Sequence, residues 1–230
     1  MSKTSLTVQT SLKVQTSLHI PITVVYSPDM PAASKVSSRP ISWPEVQKII
    51  ATNDLDVFAR SQSQTEKYLA FKRDLRLKGS TVYKHLLTNS LGWASEADVK
   101  GLADADIKVS SSGAGLFADA SDLKIIRNDF PYYFEENVAH LCVWTKRPIE
   151  SDPNSSCGDI SPETRAIIEK YIRQTFVEKA GIPRENLLWF RNWEALQSVR
   201  EISHVHVLVK DMTPAQVDML VGTAGIPLKL

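Results

Sequence analysis

Between Asn186 and Val209 the chain passes from an apolar run through a polar loop into a second apolar run that carries two histidines. Leu187 to Phe190 is too short for a helix and reads as a buried strand, and His204 to Val209, rich in β-branched residues, reads as its partner. Alternate side chains of a strand share a face, so His204 and His206 point one way while Val205 and Val207 point the other, toward a core. Two imidazoles on one face beside a loop of Asn, Gln and Ser leave few folds open. The unit needs neighbouring strands, and it needs a layer of helix over its apolar side.

The rest of the chain supplies both. Ser42-Trp43-Pro44-Glu45 has the spacing of a capping box, and a helix is expected from there to about Ala51. A short helix follows Asn53-Asp54-Leu55, then a longer one over about Thr65 to Leu77, stopped by Gly79. Ser80 opens another, with Val82, Tyr83, Leu86 and Leu87 at helical spacing. From Leu123 the pattern changes to alternation, with strands at Leu123–Ile126 and Val138–Thr145. Ser161-Pro162-Glu163 then opens a helix whose stripe is Ile167, Ile168, Tyr171, Ile172 and Phe176, and Thr213-Pro214 caps a last helix to about Val221. This order predicts an α+β protein: N-terminal helices packed on a largely antiparallel sheet. The expected domain runs from 41 to 230. Residues 1–40, with a six-residue repeat at Ser5 and Ser11 and four prolines from Pro21 to Pro40, read as a flexible N-terminal tail.

Composition excludes several classes. Of 230 residues, 43% are hydrophobic and 23% charged, which suits one sizeable core. A formal net charge of +1 is not the basic excess of a nucleic-acid binder. With no run of ~18 apolar residues and no apolar leader, neither a membrane span nor secretion is signalled. Cys142 and Cys157 form no C-x-x-C, so a reduced, cytoplasmic protein is expected. Ser110 to Gly115 lacks the spacing of a P-loop or a dinucleotide fold and reads as a surface loop.

The candidate chemistry therefore rests on imidazoles. His140 lies on a different strand from His204 and His206, and if those strands are near neighbours the three rings can share a face. Neutral histidine can act as nucleophile, general base or metal ligand. A His-x-His strand can hold zinc with His140 or a carboxylate as third ligand. No further spaced ligand supports that reading, so no metal or other cofactor is expected. Asn128, Asn192, Trp193, Gln197 and Ser198 are the expected substrate-binding residues, and Trp193 is the one tryptophan placed in a polar loop.

Two resemblances sharpen this. Trp43, Asn53-Asp54-Leu55, Leu91-Gly92-Trp93, Asn128-Asp129-Phe130-Pro131-Tyr132, His140 to Lys146, Asn192-Trp193 and His204 to Val207, in that order, resemble the fungal N-acetylglucosamine-induced protein family. That likeness covers about Ser42 to Val209 and implies a domain of unknown function connected with the response to N-acetylglucosamine. The C-terminal half is also similar to the histidine-triad superfamily of nucleotide hydrolases and transferases. There, a loop Asn…Gln-Ser-Val precedes a strand of alternating histidines, and the middle histidine attacks a phosphate. Asn192, Gln197-Ser198-Val199 and His204-Val205-His206 match parts of that pattern, with one histidine missing in either register. With His204 in the middle place, Ile202 stands where the first histidine would be. With His206 there, Leu208 stands for the third. The resemblance implies a histidine-dependent hydrolase or transferase of a nucleotide or sugar nucleotide, with catalytic His204, His206 and His140. Alternatives are a non-catalytic ligand-binding regulatory protein, or a tRNA-dependent or other biosynthetic transferase, the tRNA form opposed by the missing basic stripe. The expected partner is a small phosphorylated ligand rather than a membrane or nucleic acid, and the sequence leaves the oligomeric state open.

Overall fold

The computed structural model describes residues 13–14, 22–25 and 34–229, the first two segments by their backbone alone. Contacts divide the chain into two compact units, a division that the reading of 41–230 as one domain does not draw. One comprises residues up to Leu69 with Phe130–Glu135; the other comprises Ala70–Asp129 with Glu136–Leu230.

In the first unit, β1 (Lys13–Val14), β2 (Ile22–Val25) and β3 (Ser34–Ser37) form an antiparallel sheet in that order. Most of the expected N-terminal tail lies outside the described residues. Packing is nevertheless established before position 41, because Val36 and Ser37 are buried and Ser37 N–H donates to the Arg60 carbonyl. Helix α1 (Trp43–Thr52) begins where the capping pattern places it. The Glu45 carboxylate accepts from the Ser42 N–H at 2.9 Å and from its hydroxyl at 2.7 Å, satisfying donors that the first turn leaves without helical partners. Asn53, at φ 58°, ends the helix in the left-handed conformation that asparagine tolerates. Phe130–Glu135 joins this unit through aromatic packing: Tyr132 stacks on Phe58 at 5.3 Å, and Phe130 meets Tyr68 at 5.0 Å. Helix α2 (Gln62–Leu77), three residues longer at its start than expected, carries the chain into the second unit.

The second unit holds the sheet that the sequence predicts: β4 (Leu123–Arg127), β5 (Val138–Thr145), β6 (Leu187–Phe190) and β7 (Ser203–Lys210). All pair antiparallel in the order β4-β5-β7-β6. One face of this sheet carries Leu123, Ile125, Leu141, Val143, Leu187, Val205, Val207 and Val209. It packs against α5 (Pro162–Ile172) and the π-helical turns that continue it over Arg173–Lys179, through Ile168, Tyr171, Ile172 and Phe176. Ile167, expected in that stripe, is instead exposed.

The other face is covered by α3 (Val82–His85) and its π-helical continuation Leu86–Leu91. Tyr83, Leu86, Leu87 and Leu91 pack in one cluster with Cys142, Trp144, Val199 and Ile202. The same unit holds two short helices, α4 (Glu96–Val99) and α6 (Pro214–Leu220), the latter opened by a Thr213–Gln216 capping box. Ser110 to Gly115 is tied to an acid: Ser112 donates its N–H and its hydroxyl to buried Asp122, at 2.9 and 2.7 Å. A loop folded onto a carboxylate is no phosphate cradle. Among the described residues no helix is long and apolar enough to cross a membrane.

Candidate functional site

Strand parity decides which side chains meet. On β5, His140, Cys142 and Trp144 share the face turned toward α3; on β7, His204 and His206 share it; on β6, Phe190 does. The register pairs Cys142 with His206, Trp144 with His204, and Phe190 with His206. Directly opposed residues of an antiparallel pair lie close enough to touch, and the diagonal neighbour two residues along stays within reach of a long or aromatic side chain. The three histidines that the sequence singled out therefore come together on one face.

His206 sits at the centre. Its Nδ1 lies 2.9 Å from His140 Nε2 and 3.5 Å from the Cys142 sulfur. Its Nε2 lies 3.2 Å from the Asn192 amide nitrogen, and the phenyl ring of Phe190 stacks on it at 4.7 Å. Asn128 extends the chain, with its amide nitrogen 3.3 Å from His140 Nε2. One proton arrangement is consistent with these three nitrogen contacts, with His140 Nε2 as a shared acceptor. Asn192 Nδ2–H donates to His206 Nε2, His206 Nδ1–H donates to His140 Nε2, and Asn128 Nδ2–H donates to the same acceptor.

His204 belongs to a second group. Its ring stacks on Trp144 at 4.1 Å and meets His206 edge-on at 4.9 Å. Neither His204 Nδ1 nor Trp144 Nε1 has a hydrogen-bond partner among the described residues, although both atoms are buried.

The histidine face is not an open cleft. His140, His204 and His206 are 6%, 7% and 5% exposed, so all three are interior groups. Burial accordingly lowers the His204 pKa to about 4, with the Arg191 charge pushing the same way and the Ile202 backbone opposing. Burial also raises the Cys142 thiol, which stays protonated. Arg191 is buried and donates to the Ile149 and Gly158 carbonyls at 2.9 and 3.0 Å. It clamps the loop between them.

Of the expected binding residues, Asn128 and Asn192 join the histidines. Gln197 donates to the Asn192 backbone carbonyl at 2.9 Å and so holds the loop that presents Asn192. Trp193 is half-buried where the loop leaves Asn192, and Ser198 is exposed. Cys142 was not singled out, yet the signal was present: it lies two residues from His140 on one strand and so must share its face. Its sulfur, His140 and His206 offer three ligand atoms within 4.8 Å of one another.

Residues 42–210 match the family described as "Protein of unknown function (DUF3605)". The chain belongs to this family. Its relatives include N-acetylglucosamine-induced protein 1 of Candida albicans, 41% identical over 87% of this chain and 81% of that protein. An uncharacterised protein of Saccharomyces cerevisiae is 27% identical over 73% of this chain and 77% of its own length. Among solved structures, the crystal structure of HTC1 matches with a TM-score of 0.58 and 26% identity, covering 77% of this chain and 91% of that one. The family segment opens at the Ser42 cap and closes at Lys210, the last residue of β7, so it contains every member of the histidine cluster. The histidine-triad likeness of the C-terminal half has no counterpart in these names.

Proposed function

We propose that this DUF3605 protein is a non-catalytic, ligand-binding regulator in the response of fungi to N-acetylglucosamine. Its ligand would be a small phosphorylated molecule, a nucleotide or sugar nucleotide, read out through the buried histidine face. One observation carries the preference for binding over catalysis: both ring nitrogens of His206 are engaged, at 2.9 and 3.2 Å, inside a closed face of the sheet. A nucleophilic imidazole needs one nitrogen presented to its substrate and the other held by an orienting group. The name of the Candida relative supports the physiological setting.

A second reading, the histidine-dependent phosphoester hydrolase or transferase, is favoured by one contact. The loop residue Asn192 and the strand residue His206 meet at 3.2 Å, which joins the two segments on which the histidine-triad likeness rests. On that reading His206 is the better-placed nucleophile, since Trp144 stacks over His204. Thermal unfolding of the full chain with UDP-N-acetylglucosamine, N-acetylglucosamine 6-phosphate and ATP separates the two, with product analysis on the same samples. Saturable stabilisation without turnover supports the regulator. Turnover abolished by His206→Ala supports the enzyme and overturns the preferred reading.

A further inference from the structure

We propose that His140, Cys142 and His206 form a binding site for a zinc-class divalent cation, one thiolate and two imidazoles on a single sheet face. The inference does not depend on the ligand reading above.

The donor set is the first ground. Thiolate with imidazole is the combination that selects borderline and soft transition metals, with zinc foremost among those having no redox requirement. The three atoms converge because of strand register rather than loop conformation. Cys142 opposes His206 directly and His140 is its diagonal neighbour, so the backbone hydrogen bonds of β5 and β7 fix the site.

The distances are the second ground. Ligands around a tetrahedral zinc, with Zn–N near ~2.0 Å and Zn–S near ~2.3 Å, stand about 3.3–3.6 Å apart. The Cys142–His206 separation is 3.5 Å, already that of a coordinated pair. The His140–His206 separation of 2.9 Å is that of a shared proton, so an ion replacing the proton requires the rings to part by a few tenths of an ångström. The third edge, Cys142 to His140, lies within 4.8 Å and closes toward the same span as the ion seats. The contact of Asn128 with His140 Nε2 would be given up in the same step.

The third ground is the outer support. A ligating imidazole commonly donates its other N–H to an acceptor that fixes its orientation. Asn192 stands 3.2 Å from His206 Nε2, and a half-turn of its carboxamide places the oxygen there. Gln197 anchors the Asn192 backbone in turn. His204 is not a ligand on this account: it opposes Trp144, two residue pairs further along the ladder. Three protein ligands leave a fourth position, as in zinc sites that take water or a small molecule. Binding releases the Cys142 thiol proton, while the His206 ring proton passes from Nδ1 to Nε2, where the turned Asn192 carboxamide accepts it, so one proton leaves as the cation enters.

The test uses the full chain, stripped with a chelator and titrated with cobalt(II), then with zinc. The proposal expects one cobalt per chain, visible d–d bands of tetrahedral intensity, a thiolate-to-cobalt charge-transfer band in the near ultraviolet, and displacement by one zinc. Cys142→Ser should lose the charge-transfer band, and Asn192→Ala should weaken zinc affinity ~10–100-fold while keeping the band. X-ray absorption of the zinc-loaded wild-type protein, which needs no variant to fold, should show one sulfur at ~2.3 Å and two imidazole nitrogens at ~2.0 Å. Absence of stoichiometric cobalt or zinc uptake overturns the proposal, and so does uptake with no sulfur ligand in either spectrum.

Discussion

At the scale of single residues, the histidine face behaves as a packed interior with polar members. Replacing His206 by Ala deletes a ring stacked on Phe190 and leaves His140 and Asn192 each short of a hydrogen bond. A loss of about 2–4 kcal/mol is expected from those two effects, measured by denaturant unfolding. A loss below ~0.5 kcal/mol, the mark of a surface position, would place the ring in solvent instead. His204 makes the same point through pH. The unfolded ring takes a proton at 6.5 and the buried one only near 4, so acid between those values favours the unfolded chain. The stability that rests on neutral His204 is complete above about pH 6.5 and declines as the pH falls toward 4, by roughly 3 kcal/mol. Comparing wild type with His204→Gln across that window isolates the slope, which the variant should lack. Sequence parity was enough to place His204 beside His206, because alternation on a strand is geometric. It could not tell an open face from a covered one. That depended on Tyr83, Leu86 and Leu91, which read only as a helix stripe, choosing this side of the sheet.

At the scale of elements, the legible parts were those with local chemistry. Ser42 and Glu45 announced α1, Ser161-Pro162 announced α5, and Thr213-Pro214 announced α6, each by satisfying donors that the helix itself leaves open. What the sequence hid were the π-helical turns at Leu86–Leu91 and Arg173–Lys179, since no residue type marks the shift from one helical hydrogen-bond pattern to the other. The α1 cap has its own pH signature. The Arg39 guanidinium, bonded to Glu45 at 2.5 and 2.9 Å, holds that carboxyl at about 2. A carboxylate held low stabilises the fold above its ordinary value near 4.5 and loses that contribution as the pH falls through 2. Because the pair is partly solvated, Glu45→Gln should cost only ~1 kcal/mol at neutral pH. Trp43, buried in the first turn of α1, gives the fluorescence readout, and an unchanged acid limb in the variant would contradict the role given to the cap.

At the scale of the second unit, its two cores and its C-terminal segment close around one sheet. Tyr171 donates to the Ala224 carbonyl at 2.7 Å, Ile226 N–H donates to the Thr175 hydroxyl at 2.9 Å, and Leu228 is buried. Gly225 makes this approach possible. At φ +65°, a β-carbon there would meet the Tyr171 hydroxyl and stand 2.6 Å from Thr175 Cγ2. Gly225→Ala should therefore destabilise the protein by about 1–3 kcal/mol in thermal unfolding, and a neutral result would mean that the segment is not seated on α5. None of this was legible from Thr223 to Leu228, where nothing but the glycine hints at close contact. The antiparallel sheet was legible, because four alternating runs and their turns left few other arrangements. The most direct test of the account is a pH titration of the histidine ring nitrogens by nitrogen-15 NMR on the full chain. The structure predicts that His204 stays neutral down to about pH 4 and that the ring-nitrogen proton bridging His140 and His206 is shielded from exchange with water. A His204 that titrates near 6.5, with a bridging proton in fast exchange, would contradict it.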